Sequence, residues 1–219
     1  MIDQPIPPII LFGFSGSGKS TMAEAIAARY RLRVIHPSGI MRDILSGCNT
    51  TAEYDMERAA KNTGYWESPG GMAFLKARLH DAVPLDMQVD RMLIDEARRG
   101  DVVIDSWSLP WHVRRHGIPA FCVYLQADTL VRTRRVSARD GIRHADAARI
   151  LAEKDEDTRH LFIRLYGFDI ALDHGVFDWT INTDTLGEKE VFSRSCVYLD
   201  NEIGYRNRHS LLRRRLSLS

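Results

Sequence analysis

The chain is poor in cysteine and almost without net charge. Its three cysteines, Cys48, Cys122 and Cys196, are far apart and odd in number. That excludes a disulfide framework and matches no metal-ligand spacing, so a reducing, cytoplasmic setting is expected. A formal charge of +1 over 219 residues supplies no global field for nucleic acid or for a membrane surface. No apolar run is long enough to cross a bilayer. Asp3 stands where a secretory leader would be basic, and the first apolar run ends in a glycine loop, so no signal peptide is expected. The histidines show no ligand spacing and read as structural or surface residues. There is no internal repeat. The remaining composition, 44% hydrophobic and 27% charged, is that of a soluble globular protein. The length suits one large domain, or one domain with appendages, whose core needs neither metal nor disulfide.

Against that plain background one stretch stands out. Gly13-Phe14-Ser15-Gly16-Ser17-Gly18-Lys19-Ser20-Thr21 fits G-x-x-x-x-G-K-[ST]. An apolar run, 8–12, precedes it, and a good helix-forming segment follows. Strand, glycine loop and helix is the setting in which this pattern binds phosphate. The glycines let backbone N–H groups turn inward around an anion. The start of the next helix adds its dipole and unpaired N–H groups. Lys19 can reach the β- and γ-phosphates of a nucleotide, and the Ser20 hydroxyl can ligate Mg²⁺.

Five short runs read as buried strands, over 9–12, 33–36, 102–105, 120–125 and 179–181. The clearest helices are expected over 20–30, 86–99, 129–139 and 145–165. Their alternation predicts an α/β fold with a parallel sheet covered on both faces. Two segments read as additions. One is 48–83, centred on Gly64-Tyr65-Trp66-Glu67-Ser68-Pro69-Gly70-Gly71. The other is a tail from Arg206 with Arg208, Arg213, Arg214 and Arg215 and no acidic residue. Such a tail is usually a solvated or frayed end; contact with RNA, phosphates or a partner is the alternative.

Phosphoryl transfer needs positive charge around the moving group and water kept out. Residues 131–141 supply Arg132, Arg135 and Arg139 on one helix face, with Asp128 placed to cap that helix. Residues 153–159 put further charge, including Arg159, on a second helix. The two helices, joined through 141–145, would form a flap that closes over a nucleotide; a surface hairpin of ordinary ion pairs is the plainer reading. Asp105 ends an apolar strand beside the loop and can hold Mg²⁺ through water, or can simply cap a turn. If the acceptor were a hydroxyl, Asp105 would be the first candidate base. Arg42, after the second strand, could grip an acceptor phosphate or face solvent. Trp66, Trp107 and Trp111 could stack on a base or sugar, though tryptophan is more often core.

Taken together, the chain resembles the nucleoside monophosphate kinases, most closely the short archaeal-type cytidylate kinases and their cytidylate-kinase-like relatives. The resemblance runs from about residue 8 to residue 203. It rests on the loop, the Ile40-x-Arg42 step, Gly100-Asp101-Val102-Val103-Ile104-Asp105 and the flap. Tyr166-Gly167-Phe168-Asp169-Ile170 and Asp178-Trp179-Thr180-Ile181-Asn182-Thr183 complete it. It implies a three-layer P-loop fold with strand order 2-3-1-4-5 and a helical lid at about 132–164. It further implies that Arg135 and Asn182-Thr183 lie near the adenine of ATP, that Arg139 and Arg159 reach the transferring phosphates, and that Arg42 holds the acceptor phosphate. Asp86 and Asp90 match acidic positions, and Asp86 is assigned to the acceptor side. Two acceptor-side steps depart from the family pattern. His36-Pro37-Ser38-Gly39 replaces a Ser-x-Gly-Asp-like step, and Ser106-Trp107 replaces Gly-Arg. Lys154 stands where an arginine is common.

The expectation is therefore one P-loop kinase domain over 1–205 with a basic tail, 206–219. ATP and Mg²⁺ are bound by Gly13, Ser15, Gly16, Ser17, Gly18, Lys19, Ser20 and Thr21 together with Asp105. The acceptor, a nucleoside monophosphate, lies by Arg42, Trp66, Asp86 and Trp107. Two alternatives stay open: a kinase for a sugar, nucleoside or other metabolite, and a nucleotide-binding or RNA-associated protein without turnover.

Overall fold

A computed structural model describes residues 5–45 and 85–216, with side chains at 5–41 and 85–204. The segment 48–83 and Trp66 lie outside the described residues. The strands are β1 (Ile9–Phe12), β2 (Arg33–Ile35), β3 (Val102–Asp105), β4 (Phe121–Gln126) and β5 (Trp179–Asn182). They form one parallel sheet in the expected order β2-β3-β1-β4-β5. The helices are α1 (Lys19–Tyr30), α2 (Pro37–Leu45), α3 (Leu85–Arg99), α4 (Leu109–Arg115), α5 (Thr129–Asp140), α6 (His144–Tyr166) and α7 (Glu188–Leu216).

The central strands β1, β3 and β4 are apolar up to their last residues because both sheet faces are covered there, while the edge strands β2 and β5 carry exposed polar residues. Ile9 and Leu11 of β1 point to one side, where they pack with Met22, Ala23 and Ile26 of α1 and with Val191 and Leu199 of α7. Ile10 points to the other, among Val89 and Leu93 of α3 and Leu109 and Val113 of α4. Phe12, last in β1, joins Trp111, Tyr124, Phe162 and Phe168 in an aromatic cluster at the end of the sheet.

Three helices go beyond the sequence expectation. Proline at the start of α2 and the proline near the start of α4 are compatible with a helix's first turn, where the missing N–H has no partner to lose. The third, α7, continues unbroken through the basic stretch from Arg206 to Arg215.

The long connection α5–α6 is a helical hairpin. The Asp128 side chain accepts from Leu130 N at 2.8 Å and so starts α5 as expected. Gly141 ends it with φ 66°, a left-handed turn that favours glycine. Val136 packs with Ala147 and Leu151 to close the hairpin. After β1 the chain crosses to β2, and β1 itself lies between β3 and β4. The glycine loop therefore emerges at the switch point of the sheet, where parallel α/β folds bind ligands.

Candidate active site

The loop leaves β1 and folds back on itself, with Ser17 N donating to the Phe14 carbonyl at 3.0 Å. Gly16 has φ +81°, and a Cβ there would come within 2.9 Å of the Arg132 carbonyl on α5. Glycine thus lets the hairpin sit directly against the loop. No side chain caps the start of α1, which leaves its first N–H groups directed at the loop's concavity.

Three elements bring polar side chains to one point. Ser20 Oγ on α1 donates to the Asp105 carboxylate at the end of β3, 2.5 Å away. His36, just after β2, places Nδ1 3.1 Å from the same carboxylate oxygen, with Glu24 3.8 Å from its Nε2. Burial disfavours the charged imidazole, but the hydrogen bond and charge of Asp105, with Glu24, outweigh it and raise the His36 pKa above the usual histidine value. A hydroxyl and a carboxylate that already meet suit a hard cation. Among the described residues no group of three His, Cys, Asp or Glu could hold a metal alone. Mg²⁺ fits such a pair because it retains water and shares its remaining positions with phosphate.

The hairpin supplies the cations. Arg132, only 5% exposed, donates to the Ser15 carbonyl at 3.3 Å and to Thr129 Oγ1, and pairs with Asp155 of α6 at 2.8 Å. Burial pushes the Asp155 carboxyl up, while Arg132 pulls it down; burial prevails. Arg135 bridges the loop and the end of the sheet. Its Nη1 donates to the Gly16 carbonyl at 3.4 Å and to Thr183 Oγ1 at 3.0 Å, and its Nη2 to the Thr183 carbonyl at 2.6 Å. Thr183 Oγ1 in turn donates to the Gln126 carbonyl at the end of β4. Asn182 exchanges hydrogen bonds with Asp184 beside it. Gly16, Arg135, Asn182 and Thr183 are therefore gathered at the edge by β4 and β5.

Other named residues have different neighbours. Arg139 grips Asp140 through Nε and Nη2 at 2.7 Å. Arg159 grips Asp169 through Nε and Nη2, at 2.7 Å for the closest contact. Its guanidinium holds the Asp169 carboxyl below the usual carboxylate range. Arg42 falls on α2, with its side chain outside the described part. Asp86 is buried at the start of α3, and Trp107 is half-buried just after β3.

Sequence reasoning gave no role to several residues of this site. Lys154 is buried, with Nζ 5.7 Å from the Trp107 ring centroid. Asp155 and His36 enter as described. Asp90, whose role sequence left open, is a buried hub: it accepts from Ser108 Oγ and from Tyr166 OH, each at 2.5 Å, with His112 Nε2 3.3 Å away. The available signals were position only. His36 and Ser108 each follow a strand at the ligand-binding end of the sheet, and Lys154-Asp155 falls in the charged run of the second flap helix.

A glycine loop ending in Lys-Ser at the switch point of a 2-3-1-4-5 parallel sheet, with a cationic helical hairpin against it, defines a P-loop phosphotransferase. The cytidylate kinase-like family matches residues 9–185, and the chain belongs to that family. It is 30% identical over 200 residues to the cytidylate kinase of Pyrobaculum aerophilum, covering 90% of this chain and 95% of the other. To that of Ignicoccus hospitalis it is 29% identical over 183 residues, covering 84% and 93%. Among solved structures, an uncharacterised protein of Eubacterium ventriosum superposes with TM-score 0.63 at 16% identity, covering 90% of this chain and 99% of that one. The shikimate kinase of Acinetobacter baumannii gives TM-score 0.50 at 16% identity, with 90% and 94% covered. At these identities the two structures speak for the fold.

Proposed function

We propose that this chain transfers the γ-phosphoryl group of ATP, with Mg²⁺, to a nucleoside monophosphate, CMP being the first acceptor to test. The observation that carries this reading is the convergence of Lys19, Ser20 and Asp105 at the loop while Arg135 bridges Gly16 and Thr183. One end of a nucleotide would meet backbone N–H groups and cations, and the other would meet the Arg135–Thr183 edge. The curated relatives named cytidylate kinase support the choice of acceptor.

In this reading the work is divided among the named residues. Loop N–H groups and Lys19 bind the β- and γ-phosphates, and Ser20 and Asp105 would hold Mg²⁺. The cation, when bound, neutralises charge on the phosphate oxygens. Arg135 orients the base end. Arg132, Lys154, Arg139 and Arg159 are the flap's cations; Arg132, Arg139 and Arg159 would turn to the transferring group from Asp155, Asp140 and Asp169, while the hairpin excludes water. A phosphate oxygen of the acceptor is already a competent nucleophile, so no general base is required. Positioning and charge neutralisation carry the rate. Arg42, Trp66 and Asp86 are assigned to the acceptor, and Trp107 stands where the two halves meet. The setting assigned is the cytoplasm, and the basic stretch from Arg206 is the one route assigned for any nucleic-acid contact.

ADP release should be followed with ATP, Mg²⁺ and CMP, dCMP, UMP or AMP in turn. CMP or a close analogue is expected to stimulate turnover strongly, and Lys19→Ala is expected to abolish it. Silence with every nucleotide would overturn the reading.

A further inference from the structure

The phosphate site contains two aromatic rings that the reaction itself does not require. Phe14 lies within the loop and Trp107 follows β3, with ring centroids 5.7 Å apart and planes at 69°. Three cations from three elements lie over these rings. Arg132 of α5 has its guanidinium carbon 5.3 Å from the Phe14 centroid. Lys19, first residue of α1, has Nζ 5.6 Å from the Trp107 centroid, and Lys154 of α6 has Nζ 5.7 Å from the same point.

The energetics favour a purpose for this arrangement. Cations drawn together to meet a polyphosphate repel one another until it arrives. Lys154 and Arg132 are 7% and 5% exposed, so water screens that repulsion poorly. Asp155 offsets part of it, paired with Arg132 and lying in the field of Lys154 and Lys19. The face of an aromatic ring carries negative potential and attracts a cation within about 6 Å, most strongly for indole. It brings no formal charge that would later oppose a phosphate. A second carboxylate in place of the rings would attract the lysines but add to the repulsion of the nucleotide.

We propose that Phe14 and Trp107 form an aromatic ledge that holds the cations of α1, α5 and α6 at the phosphate loop, and that Trp107 is the positioning residue for both Lys19 and Lys154. The ledge draws the flap to the loop, and Trp107 thereby serves the donor nucleotide. The inference rests on the assignment of ATP to this site.

Two measurements on the full chain test it. Selective ¹³C labelling of lysine gives a simple spectrum, because the sequence has only five lysines, Lys19, Lys61, Lys76, Lys154 and Lys189. Two of them, assigned by Lys19→Arg and Lys154→Arg, should show ε-methylene protons shifted upfield by the indole ring, and Trp107→Leu should abolish both shifts. Calorimetric titration with a non-hydrolysable MgATP analogue, without acceptor, should then show about tenfold weaker binding for Trp107→Leu. Trp107→Phe, which keeps a ring face, should recover most of it. Unshifted signals for Lys19 and Lys154 in the wild-type protein would overturn the ledge even if no variant folds. Equal MgATP affinity in wild type and Trp107→Leu, with only the acceptor KM raised, would also overturn it and make Trp107 an acceptor residue. Failure of the wild type itself to bind MgATP would overturn the donor assignment, and the lysine shifts would still judge the ledge.

Discussion

The two sides of the loop-bearing edge of the sheet are furnished differently. Toward β4 and β5 the site is built from backbone groups and guanidinium: Arg135 bridges the Gly16 and Thr183 carbonyls, and Thr183 Oγ1 donates to the Gln126 carbonyl. Toward β3, α3 and α4 it is built from buried acids, hydroxyls and histidines: Asp90 with Ser108, Tyr166 and His112, and Asp105 with Ser20 and His36. Under the proposed function the first side meets what every ATP carries, for which backbone geometry suffices. The second holds the Ser20–Asp105 pair assigned to Mg²⁺ and, beyond it, the side chains that would meet a variable acceptor. The difference explains why the donor is readable from a short motif while the acceptor is not.

The comparison breaks most sharply at Lys19. Lys19→Ala removes the loop's own cation and should lower kcat/KM by at least about 10³-fold, below detection in the ADP-release assay, with the fold retained by circular dichroism. The hub on the other side should answer in stability. Asp90→Ala leaves the hydroxyls of Ser108 and Tyr166 without their buried acceptor and should cost about 3 kcal/mol, or roughly 6–12 °C in Tm. Arg135→Ala should raise the KM for MgATP about tenfold and leave the acceptor KM nearly unchanged, which separates the two halves directly.

The smallest effect belongs to a surface joint of the flap. Asp169 is held below the usual carboxylate range, first by its hydrogen bond to Arg159. Its contribution to stability is therefore present above the ordinary carboxylate pKa and is lost as the pH falls through the lowered value. Asp169→Asn should melt a few degrees lower than wild type at neutral pH. That gap should close in acid, as followed by thermal melts over a pH series.

All five strands and the hairpin were legible from sequence because each rests on a local rule: two-sided burial of a short apolar run, alternation with helices, an Asp128 cap, a glycine turn; the strand order came from the family resemblance. The donor side was legible for the same reason, since a phosphate loop is one continuous segment. Arg132 and Arg135 share a face by helical spacing alone. What escaped depends on contacts between distant elements. His36 and Asp105 meet only because β2 and β3 are neighbours, and Tyr166 reaches Asp90 across 76 residues of chain. Lys154 was legible only as a replacement for a common arginine in the charged run of the flap, yet α6 turns it inward over Trp107. No spacing rule within a segment reports such meetings. The helical course of the basic stretch in α7 was hidden for a different reason, since a run of arginines reads alike in a helix and in a frayed end.

The central claim is that the site binds ATP and moves its terminal phosphoryl group to a nucleoside monophosphate. Incubation with γ-labelled ATP, Mg²⁺ and a panel of nucleoside monophosphates, with products separated by chromatography, tests it most directly. The account predicts label in the diphosphate of CMP or a close pyrimidine analogue, and none with Lys19→Ala. Binding of ATP with no label passed to any nucleoside monophosphate would contradict it.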